Sequence, residues 1–510
     1  MSPATEPDVS AIVERTSRSY DALPYTSDPF PATHPALVGA IARLFALDAA
    51  PLAQARVLEL GCAAGGNIIP LAARYPQAAF VGVDLSAAQV AAGRARIAQL
   101  KLSNIELRCA SFSEPAALGL AFDYVICHGV YSWVPAPLRE TILRICRDSL
   151  SPRGVALVSY NVLPGWRMLQ ALRDCFLLHG SADADPRARV AQARALLQFL
   201  PQACPEAGAY RDFLVGQAER LLKSSDDYLA HEFLDDVNEP CSFRDFIDAA
   251  RRHGLAYLAE AELPSMIVAN YPPNMAAMVQ TAGANQLLAT EQLIDMVSGR
   301  TFRHTLLVAA ARAPQIDRRL CGERLEGLHF IGDGALALTR EAGGVTLAAP
   351  AGRRLHTGSP LLAQVLAQFV AAFPGSSSVD DLLAALPAAA RTAEGRALVR
   401  EGLLNMVING LATTRLDAVP AVAHPGPLPV ACPMARAEAA RGAATTVNLR
   451  HERVTIGGLA QIVLPLLDGS RDLDAITAAI AQSGRDGRLA ASGEFAALLP
   501  ALARAALLLA

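Results

Sequence analysis

The pattern of apolar and polar positions changes along the chain. Between residues 56 and 161, short runs that are apolar almost throughout alternate with segments of helical length. The runs are RVLEL, AAFVGVDL, IELRCA, FDYVICHG and GVALVSYN. Strands that are covered by helices on both faces have this composition, and strands that alternate with helices usually form parallel sheets. The pattern therefore predicts an α/β core with a mostly parallel sheet.

From about residue 167 to 223 the spacing of apolar residues becomes helical. The following stretch, 228–262, predicts a turn, a helix and a strand, with Ser242 at the start of the helix and Gly254 at its end. The segment 291–309 predicts a helix that leads into a strand. We therefore expect a mainly helical middle domain over residues 167–312.

Beyond residue 312 the composition shifts to Ala, Leu, Gly and Pro, and two segments resemble each other: SPLLAQVLAQFVAAFPGSSSVDDLLAAL and GGLAQIVLPLLDGSRDLDAITAAI. Each predicts a helix, a glycine-containing break and a second helix, as in helix–turn–helix units of winged-helix type. A proline-rich linker, 412–433, separates them. Because both segments carry little positive charge, we expect a scaffold or a protein-contact role rather than DNA binding.

These shifts predict four parts: a cap over 1–50, the core over 51–166, the middle domain over 167–312 and a winged-helix-like region over 313–510. The net charge of −3 indicates no nucleic-acid partner. The nine cysteines form no CxxC pair, so we expect reduced thiols and no metal site. The polar, acidic start predicts no secretory signal, and no apolar run is long enough to span a membrane. We therefore expect a cytoplasmic location; no oligomeric state is indicated.

A glycine-rich loop, VLELGCAAGGN (57–67), follows the first predicted strand. Glycines at 61 and 65 allow a tight turn and a close approach of the backbone to a ligand. The loop has neither the G-x-G-x-x-G spacing of dinucleotide sites nor the Gly-Lys-Ser/Thr of a P-loop. Asp84 ends the next strand, where an acidic side chain can accept hydrogen bonds from both hydroxyls of a ribose.

Glu59-x-Gly61 followed by Asp84 resembles motifs I and II of class I methyltransferases. This resemblance implies S-adenosylmethionine as the cofactor and S-adenosylhomocysteine as the product. The third strand ends at Ser111 and Phe112, where such enzymes place an adenine contact; Ser111 is either that contact or a turn residue. The cofactor residues expected in this region are Glu59, Gly61, Cys62, Ala63, Gly65, Asn67, Asp84, Leu85, Ser111 and Phe112.

The ends of the fourth and fifth strands predict the methyl-acceptor site. Methyl transfer needs an aligned, desolvated and deprotonated nucleophile. Aromatic faces such as those of Tyr131 and Trp133 attract a sulfonium and an approaching ammonium. His128 is expected beside the cofactor as a base or an orienting group, although a structural hydrogen bond is an equal alternative. Tyr160 and Asn161 are expected to lie where the polypeptide runs past the methyl group of the cofactor. The absence of Asn-Pro-Pro-Tyr there gives no support for amide or adenine acceptors.

The sequence is similar to bacterial methyltransferases that carry a methyltransferase regulatory domain. The similarity lies in YDALPYTSDPFPATHP, LELGCAAGGN, FVGVDLS, FDYVICHGVYSWVP, SYNVLPGW and the segment 228–262. The family includes rickettsial protein-lysine methyltransferases of outer-membrane proteins, so the resemblance implies a Rossmann-like core and lysine acceptors. It also implies that Tyr20, Tyr25 and the Thr33-His34 pair lie near the cofactor, although these residues could instead cap the sheet.

Three functions follow as alternatives. The first is transfer of a methyl group to a protein lysine, which the large non-catalytic part of the chain favours. The second is N- or O-methylation of a small molecule in secondary or envelope metabolism. The third is a non-catalytic cofactor-binding protein, which the intact Glu59, Gly61, Gly65 and Asp84 disfavour.

Overall fold

The computed structural model describes residues 9–112, 121–181, 185–204, 207–284, 286–350, 352–482 and 494–509. The first eight residues, on which the expectation about a secretory signal rests, lie outside the described residues. Among the described helices, none combines the length and the apolar character needed to cross a membrane.

One sheet organises the amino-terminal three-fifths of the chain. Its strands are β1 (Arg56–Leu60), β2 (Ala79–Asp84), β3 (Ile105–Cys109), β4 (Phe122–Cys127), β5 (Leu150–Asn161), β6 (Leu255–Glu260) and β7 (Phe302–Ala309). Their order in the sheet is β3-β2-β1-β4-β5-β7-β6. Strands β1 to β5 are parallel, whereas β7 is antiparallel to both β5 and β6. The predicted Rossmann-like core with a mostly parallel sheet is confirmed.

Helices cover this sheet on both faces. Those that accompany the first five strands are α1 (Val9–Ala22), α2 (Pro35–Leu44), α3 (Ile68–Arg74), α4 (Ala87–Leu100) and α5 (Ala136–Ser149). Alternate residues of one strand enter two different apolar clusters: Val57 packs with α2 and α3, and Leu58 packs with α5. Because side chains alternate between the faces of a strand, a strand buried on both sides is apolar throughout.

The middle of the chain is mainly helical, as predicted. Its helices are α6 (Trp166–His179), α7 (Pro186–Ala203), α8 (Ala209–Leu221), α9 (Asp226–Leu229), α10 (Phe243–Arg252), α11 (Pro273–Gly283) and α12 (Leu287–Ser298). The predicted ends of α10 are confirmed: Ser242 Oγ accepts a hydrogen bond from Asp245 N (3.1 Å), and Gly254 follows with φ +72°. Strands β6 and β7 lie in this part of the sequence but complete the sheet of the core.

A buried ion-pair cluster joins β6, β7 and α12. The guanidinium of Arg303, on β7, is fully buried and pairs with Glu260 (2.7 Å), Glu291 (3.1 Å) and Asp295 (2.8 Å). Burial raises the pKa of Glu291 to about 7, although Arg303 opposes the rise. The cluster therefore buries several charged groups. Each is stable out of water only while its partners are present.

The carboxyl-terminal part contains two units. The first has the helices α13 (Pro360–Ala371), α14 (Val379–Ala384) and α15 (Ala393–Ile408), with the strands β8 (His329–Ile331), β9 (Ala337–Glu341), β10 (Gly344–Ala348), β11 (Arg354–Thr357), β12 (Ser377–Ser378) and β13 (Thr413–Arg415). The second has α16 (Pro433–Ala440), β14 (Thr445–Val447), β15 (Arg453–Thr455), α17 (Leu459–Val463), α18 (Leu473–Gln482) and α19 (Glu494–Arg504). Both segments predicted to be helix, break and helix have that form, as α13–α14 and α17–α18.

The carboxyl-terminal part packs directly against the core. Its buried leucines and valines belong to the same apolar cluster as α2, α3 and one face of the sheet. Leu416 N donates a hydrogen bond to Ala36 O (2.9 Å), and His451 Nε2 contacts Asn67 Oδ1 at 2.8 Å. The second of these contacts reaches the glycine-rich loop region described next.

Candidate functional site

A cavity of about 640 Å³ opens at the carboxyl ends of β1, β2 and β4. Ligand sites of open α/β sheets lie at this edge, and small-molecule sites commonly have such volumes. Most of the predicted site residues line the cavity: Tyr20, Tyr25, Glu59, Gly61, Cys62, Ala63, Asn67, Asp84, Leu85, Ser111, Phe112, His128, Trp133 and Asn161. Gly65, Tyr131 and Tyr160 do not line it.

The loop after β1 forms the floor of the cavity. Gly61 has φ +76°, and a Cβ atom there would lie 2.3 Å from Val130 Cγ2, so only glycine fits. Gly61 N donates to Val83 O (2.8 Å), which ties the loop to the end of β2. Gly65 has φ +75°, which serves the turn, and is not among the residues that line the cavity. Its contact with a ligand stays a prediction.

Glu59 and Asn67 form a buried pair at the base of the cavity. Asn67 Nδ2 donates to Glu59 Oε1 (2.7 Å), and Asn67 Oδ1 accepts from Phe30 N (3.0 Å) and from His451 Nε2 (2.8 Å). Glu59 Oε2 is buried and has no partner among the described residues. Burial, which the bond from Asn67 opposes, raises the pKa of Glu59 to about 8. A cationic group beside this carboxyl would lower its pKa and fill the vacant lone pairs.

Asp84 connects the loop after β1 with the start of α4. Its Oδ2 accepts a hydrogen bond from Ala63 N (2.8 Å), and its Oδ1 accepts one from Ser86 N (2.9 Å). Burial raises the pKa of Asp84, and the backbone hydrogen bonds lower it. Since each carboxylate oxygen can accept two hydrogen bonds, the lone pairs for two ribose hydroxyls remain. Asp84 thus shapes the loop as well as presenting oxygens to the cavity.

The predicted adenine edge lies next to Asp84. Ala110 N donates to Asp84 O (3.0 Å), which sets the end of β3 beside the end of β2. Leu85, Ser111 and Phe112 follow these strands and line the cavity. Apolar and polar groups are thus present where a base would be held between two strands, and the adenine contact stays a prediction.

His128 stands at the end of β4 between two rings. Its imidazole lies 4.1 Å from the ring of Phe30 and is stacked on His304 at 5.1 Å between centroids. Burial, followed by the charge of His304, lowers the pKa of His128 well below its ordinary value, so the ring is neutral. Its Nδ1 is buried without a partner among the described residues. His304 Nδ1 in turn lies 2.8 Å from Glu262 Oε1.

Trp133 and Asn161 contribute the wall beyond His128. Trp133 Nε1 donates to His231 O (3.0 Å), which fixes the indole against the middle of the chain. Asn161 Nδ2 donates to Asn238 Oδ1 (3.1 Å), and its own Oδ1 is buried with no partner among the described residues. Hydrogen bonds to the middle part of the chain therefore hold both side chains at the cavity.

The two predicted catalytic tyrosines lie behind this wall. Tyr160 is stacked on Phe246 of α10 at 4.0 Å, and its hydroxyl contacts Thr305 Oγ1 at 3.1 Å. Tyr131 packs edge-on against Phe246 at 5.1 Å. Both belong to the apolar cluster on one face of the sheet. The expectation that they contact the acceptor is corrected, because their rings are used for core packing.

This correction changes the expected effect of Tyr131→Phe. From the sequence, we expect the substitution to lower turnover more than cofactor affinity if Tyr131 contacts the acceptor. Since the structure places its ring in the core, we now expect turnover and affinity for S-adenosylhomocysteine to stay within about twofold of the parent. Steady-state kinetics and calorimetry measure both, and a large loss of turnover alone would show that Tyr131 reaches the acceptor.

The amino-terminal segment forms the roof of the cavity. Tyr20 is stacked on His231 at 4.1 Å, and the Tyr25 ring lies 5.9 Å from the same imidazole. Thr33 Oγ1 accepts a hydrogen bond from Asn67 Nδ2 (3.0 Å), whereas His34 contacts Arg415 of β13. Tyr20 and Tyr25 therefore lie at the cavity, while Thr33 and His34 pack outside it.

Gly66 fixes this roof to the loop after β1. Gly66 N donates to Ser27 Oγ (2.7 Å), and a Cβ atom on Gly66 would lie 1.8 Å from Ser27 O. Because the obstacle is backbone, Gly66→Ala must displace the segment around Ser27. Overpacking costs about 1–3 kcal/mol, so we expect roughly tenfold or more weaker binding of S-adenosylhomocysteine by calorimetry.

The matched control is Gly216→Ala, since Gly216 lies in α8 with nothing near its would-be Cβ. Alanine favours a helix interior, so this variant should bind S-adenosylhomocysteine like the parent. Equal affinity of the two variants would show that the roof does not contribute to binding.

Sequence reasoning did not find several residues of the cavity. Ser27, His231 and Glu232 line it, and His451 reaches Asn67 from the carboxyl-terminal part. None of them belongs to a motif with a defined spacing; their positions depend on contacts between segments far apart in the chain. Within the described ranges, no group of three or more His, Cys, Asp or Glu side chains could hold a metal ion.

Three protein-family models match the chain. The methyltransferase domain matches residues 57–154, the "predicted methyltransferase regulatory domain" matches 225–309, and the PKMT C-terminal winged helix domain matches 428–507. The first covers the strands and loops that build the cavity floor. The second covers a π-helical turn, Ala230–Leu234, and strands β6 and β7.

Two proteins of Rickettsia prowazekii are similar in sequence to parts of the chain. Uncharacterized protein RP789 of Rickettsia prowazekii (strain Madrid E) is 41% identical over 289 residues, which are 56% of this chain and 52% of that protein. The chain thus spans about half the length of this relative. Uncharacterized protein RP028 of the same organism is 33% identical over 243 residues, 47% of this chain and 97% of that protein.

A solved structure is similar along nearly the whole chain. PKMT2 from Rickettsia typhi in complex with AdoHcy has a TM-score of 0.81 at 25% identity, covering 96% of this chain and all of that one. The cavity at the carboxyl edge of the sheet and the three matching domain families both indicate a methyltransferase. The chain belongs to the bacterial class I S-adenosylmethionine-dependent methyltransferases that carry a methyltransferase regulatory domain and a PKMT-type winged helix domain.

Proposed function

We propose that the chain transfers the methyl group of S-adenosylmethionine to lysine side chains of a protein. The observation that carries this proposal is the similarity to PKMT2 over 96% of the chain, together with the PKMT winged helix match at residues 428–507. A methyltransferase of small molecules has no evident need for these additional domains. The sequence resemblance to rickettsial protein-lysine methyltransferases supports the same acceptor.

The residues of the cavity fit the cofactor. Glu59 Oε2 is a buried acceptor that lacks a partner among the described residues, and it suits the ammonium group of the methionine moiety. Gly61 leaves room where a Cβ atom would collide with Val130. Asp84 keeps lone pairs for the ribose hydroxyls, and Leu85, Ser111 and Phe112 line the place for the base. S-adenosylmethionine, when bound, supplies an electrophilic methyl group on a sulfonium sulfur.

The other wall residues suit an amine acceptor. Burial lowers the pKa of His128 and keeps its ring neutral, so a ring nitrogen can accept a hydrogen bond from the acceptor amine and orient it. The indole of Trp133 offers an aromatic face to a cation, and Asn161 Oδ1 offers an unpaired acceptor. Tyr20 and Tyr25 line the cavity from the amino-terminal segment and add aromatic surface to this wall.

Incubation with methyl-labelled S-adenosylmethionine and a bacterial protein extract tests the proposal. We expect label in protein bands and labelled methyl-lysine after acid hydrolysis. The Asp84→Ala variant serves as the control for label that does not depend on the cofactor site. Label confined to small solutes would overturn the protein acceptor, and labelled protein without methyl-lysine would overturn the lysine assignment.

A further inference from the structure

One carboxylate of the cavity is not used by the cofactor site described above. Glu232 lies in the turn Ala230–Leu234, which is wound as a π-helix directly after α9, and its side chain lines the cavity. Single π-helical turns inside helices occur frequently at functional sites. The carboxylate forms no hydrogen bond or ion pair with any side chain or backbone group of the described residues.

The backbone around Glu232 is fixed from three directions. His231 Nε2 donates to Leu23 O (2.7 Å), His231 O accepts from Trp133 Nε1 (3.0 Å), and Glu232 O accepts from Asn238 Nδ2 (3.0 Å). These bonds join the turn to the roof and to the wall beyond β4. The turn therefore holds the Glu232 side chain at the cavity without engaging its carboxylate.

The other acidic residues that line the cavity have partners. Asp28 pairs with Arg453 (3.0 Å), Glu59 accepts from Asn67, and Asp84 accepts two backbone amides. Arg220 is the one Lys or Arg side chain among the described lining residues. The acids outnumber it, so the field inside the cavity favours a cation.

Arg220 does not neutralise Glu232 by a direct bond. Its guanidinium donates to Gln217 Oε1 (2.9 Å) and to Tyr228 OH (3.3 Å) instead. Burial, partly offset by the charge of Arg220, raises the pKa of Glu232 to about 7. A carboxylate that is buried without a directly bonded counter-charge is stabilised when a cation binds beside it.

Aromatic and apolar groups complete the surroundings of Glu232. Tyr25 and Tyr228 line the same cavity as Glu232. Burial first, and then the charge of Glu232, raise the pKa of both phenols, so both stay uncharged. The lining of the cavity also contains apolar side chains: Ile12, Val13, Leu138, Met168, Leu169 and Phe213. A carboxylate, aromatic faces and an apolar wall together match a primary ammonium on an alkyl stem.

We propose that Glu232 binds the ammonium group of the methyl acceptor and thereby selects a lysine side chain over uncharged acceptors. This inference rests on the proposed lysine transfer for the identity of the acceptor. The ammonium site itself rests on the cavity alone. Glu232 is assigned to recognition of the acceptor, whereas Glu59 and Asp84 serve the cofactor.

A binding experiment that needs no turnover tests the ammonium site. The probe is n-butylammonium, which reproduces the lysine stem, and it is titrated by ligand-observed NMR against the full chain saturated with S-adenosylhomocysteine; n-pentanol is the uncharged comparison. We expect Glu232→Gln to weaken n-butylammonium binding about ten- to hundredfold, as for loss of a charged partner, and to leave n-pentanol unaffected. Glu232→Asp keeps the charge and should retain part of the affinity.

The matched control is Glu219→Gln, since Glu219 is exposed on α8 and does not line the cavity. This variant should change the affinities for n-butylammonium and for n-pentanol by no more than about twofold. Unchanged n-butylammonium binding in Glu232→Gln would overturn the inference. An equal loss of affinity for S-adenosylhomocysteine would also overturn it, because Glu232 would then hold the cofactor.

Turnover separates this inference from the proposed function. With methyl-labelled S-adenosylmethionine and poly-L-lysine, Glu232→Gln should raise KM for poly-L-lysine by about tenfold or more, from loss of the charged partner. If the parent binds n-butylammonium through Glu232 but labels no lysine, the lysine transfer is overturned and the amine site stands. If the parent labels lysine and Glu232→Gln does so with unchanged KM, the inference is overturned and the proposed function stands.

Discussion

Replacing Arg303 by methionine is expected to lower the free energy of unfolding by about 3–5 kcal/mol, because it leaves buried carboxylates without their counter-charge. Arg303 is the shared partner of Glu260, Glu291 and Asp295, and its guanidinium has no exposed surface. Arg300 approaches Asp295 at 3.4 Å but cannot replace the three buried ion pairs of Arg303. Thermal or urea denaturation measures the loss.

The loss of unfolding free energy in Arg303→Met should become smaller as the pH falls. The pKa of Glu291 is raised by burial from 4.5 to about 7, so the native state binds a proton between these values that the unfolded chain does not bind. Stability is therefore gained as pH falls through 7. Without Arg303 the pKa of Glu291 rises further, and the deficit of Arg303→Met should be smaller at about pH 5 than at about pH 8.

Arg251→Met is the matched control, since Arg251 is exposed on α10 and pairs with Asp248 at 3.5 Å. Pairs of this kind contribute about 0–1 kcal/mol, so its stability should stay close to that of the parent at both pH values. Equal stability of the two variants would show that the buried cluster does not hold β6, β7 and α12 together. If the stability loss of Arg303→Met grew as the pH fell, the protonation assigned to Glu291 would be contradicted.

Replacing Asp84 by alanine is expected to weaken binding of S-adenosylhomocysteine by about 1–3 kcal/mol, from lost charge-assisted hydrogen bonds. The structure adds a second reason. Ala63 N and Ser86 N lose their acceptor, so the loop on the cavity floor loses its fixed shape. Asp84→Asn keeps one acceptor oxygen and should lie between the parent and Asp84→Ala. Isothermal titration calorimetry measures the affinities.

Asp123→Ala provides a control of the same chemistry at the opposite edge of the sheet. Asp123 accepts hydrogen bonds from Arg56 N (3.0 Å) and Ser151 Oγ (2.8 Å), at the beginning of β1 and β5. It is remote from the cavity, so this variant should lose stability without losing affinity. Unchanged affinity of Asp84→Ala would instead show that the ribose is held elsewhere.

The local signals in the sequence were sufficient for the order of elements in the core. The strand runs from RVLEL to GVALVSYN, the capping residue Ser242 and the terminating Gly254 are short-range features, and each is where the structure has it. Motif I and Asp84 lie at consecutive strand ends, which a parallel sheet must bring to one edge. For that reason most predicted cofactor residues line one cavity.

The sequence could not predict toward which face of the sheet the residues at the strand ends point. Tyr160 and Asn161 are neighbours in β5, so one of them must point away from the other. In a strand buried on both sides no alternation of apolar and polar residues marks which face is which. The structure turns Tyr160 toward Phe246 and Asn161 toward the cavity.

By itself, the sequence determined the Rossmann-like core and the position of the glycine-rich loop, because these depend on local spacing and on the rule that parallel strands end at one edge. Its resemblance to class I methyltransferases implied the cofactor. Only the tertiary structure decided the rest of the site. The insertion of β7 between β5 and β6, the bond from His451 to Asn67 and the meeting of Glu232 and Tyr25 in one cavity all join segments that are far apart in the chain. Such contacts are selected by the packing of whole elements, which no local spacing records.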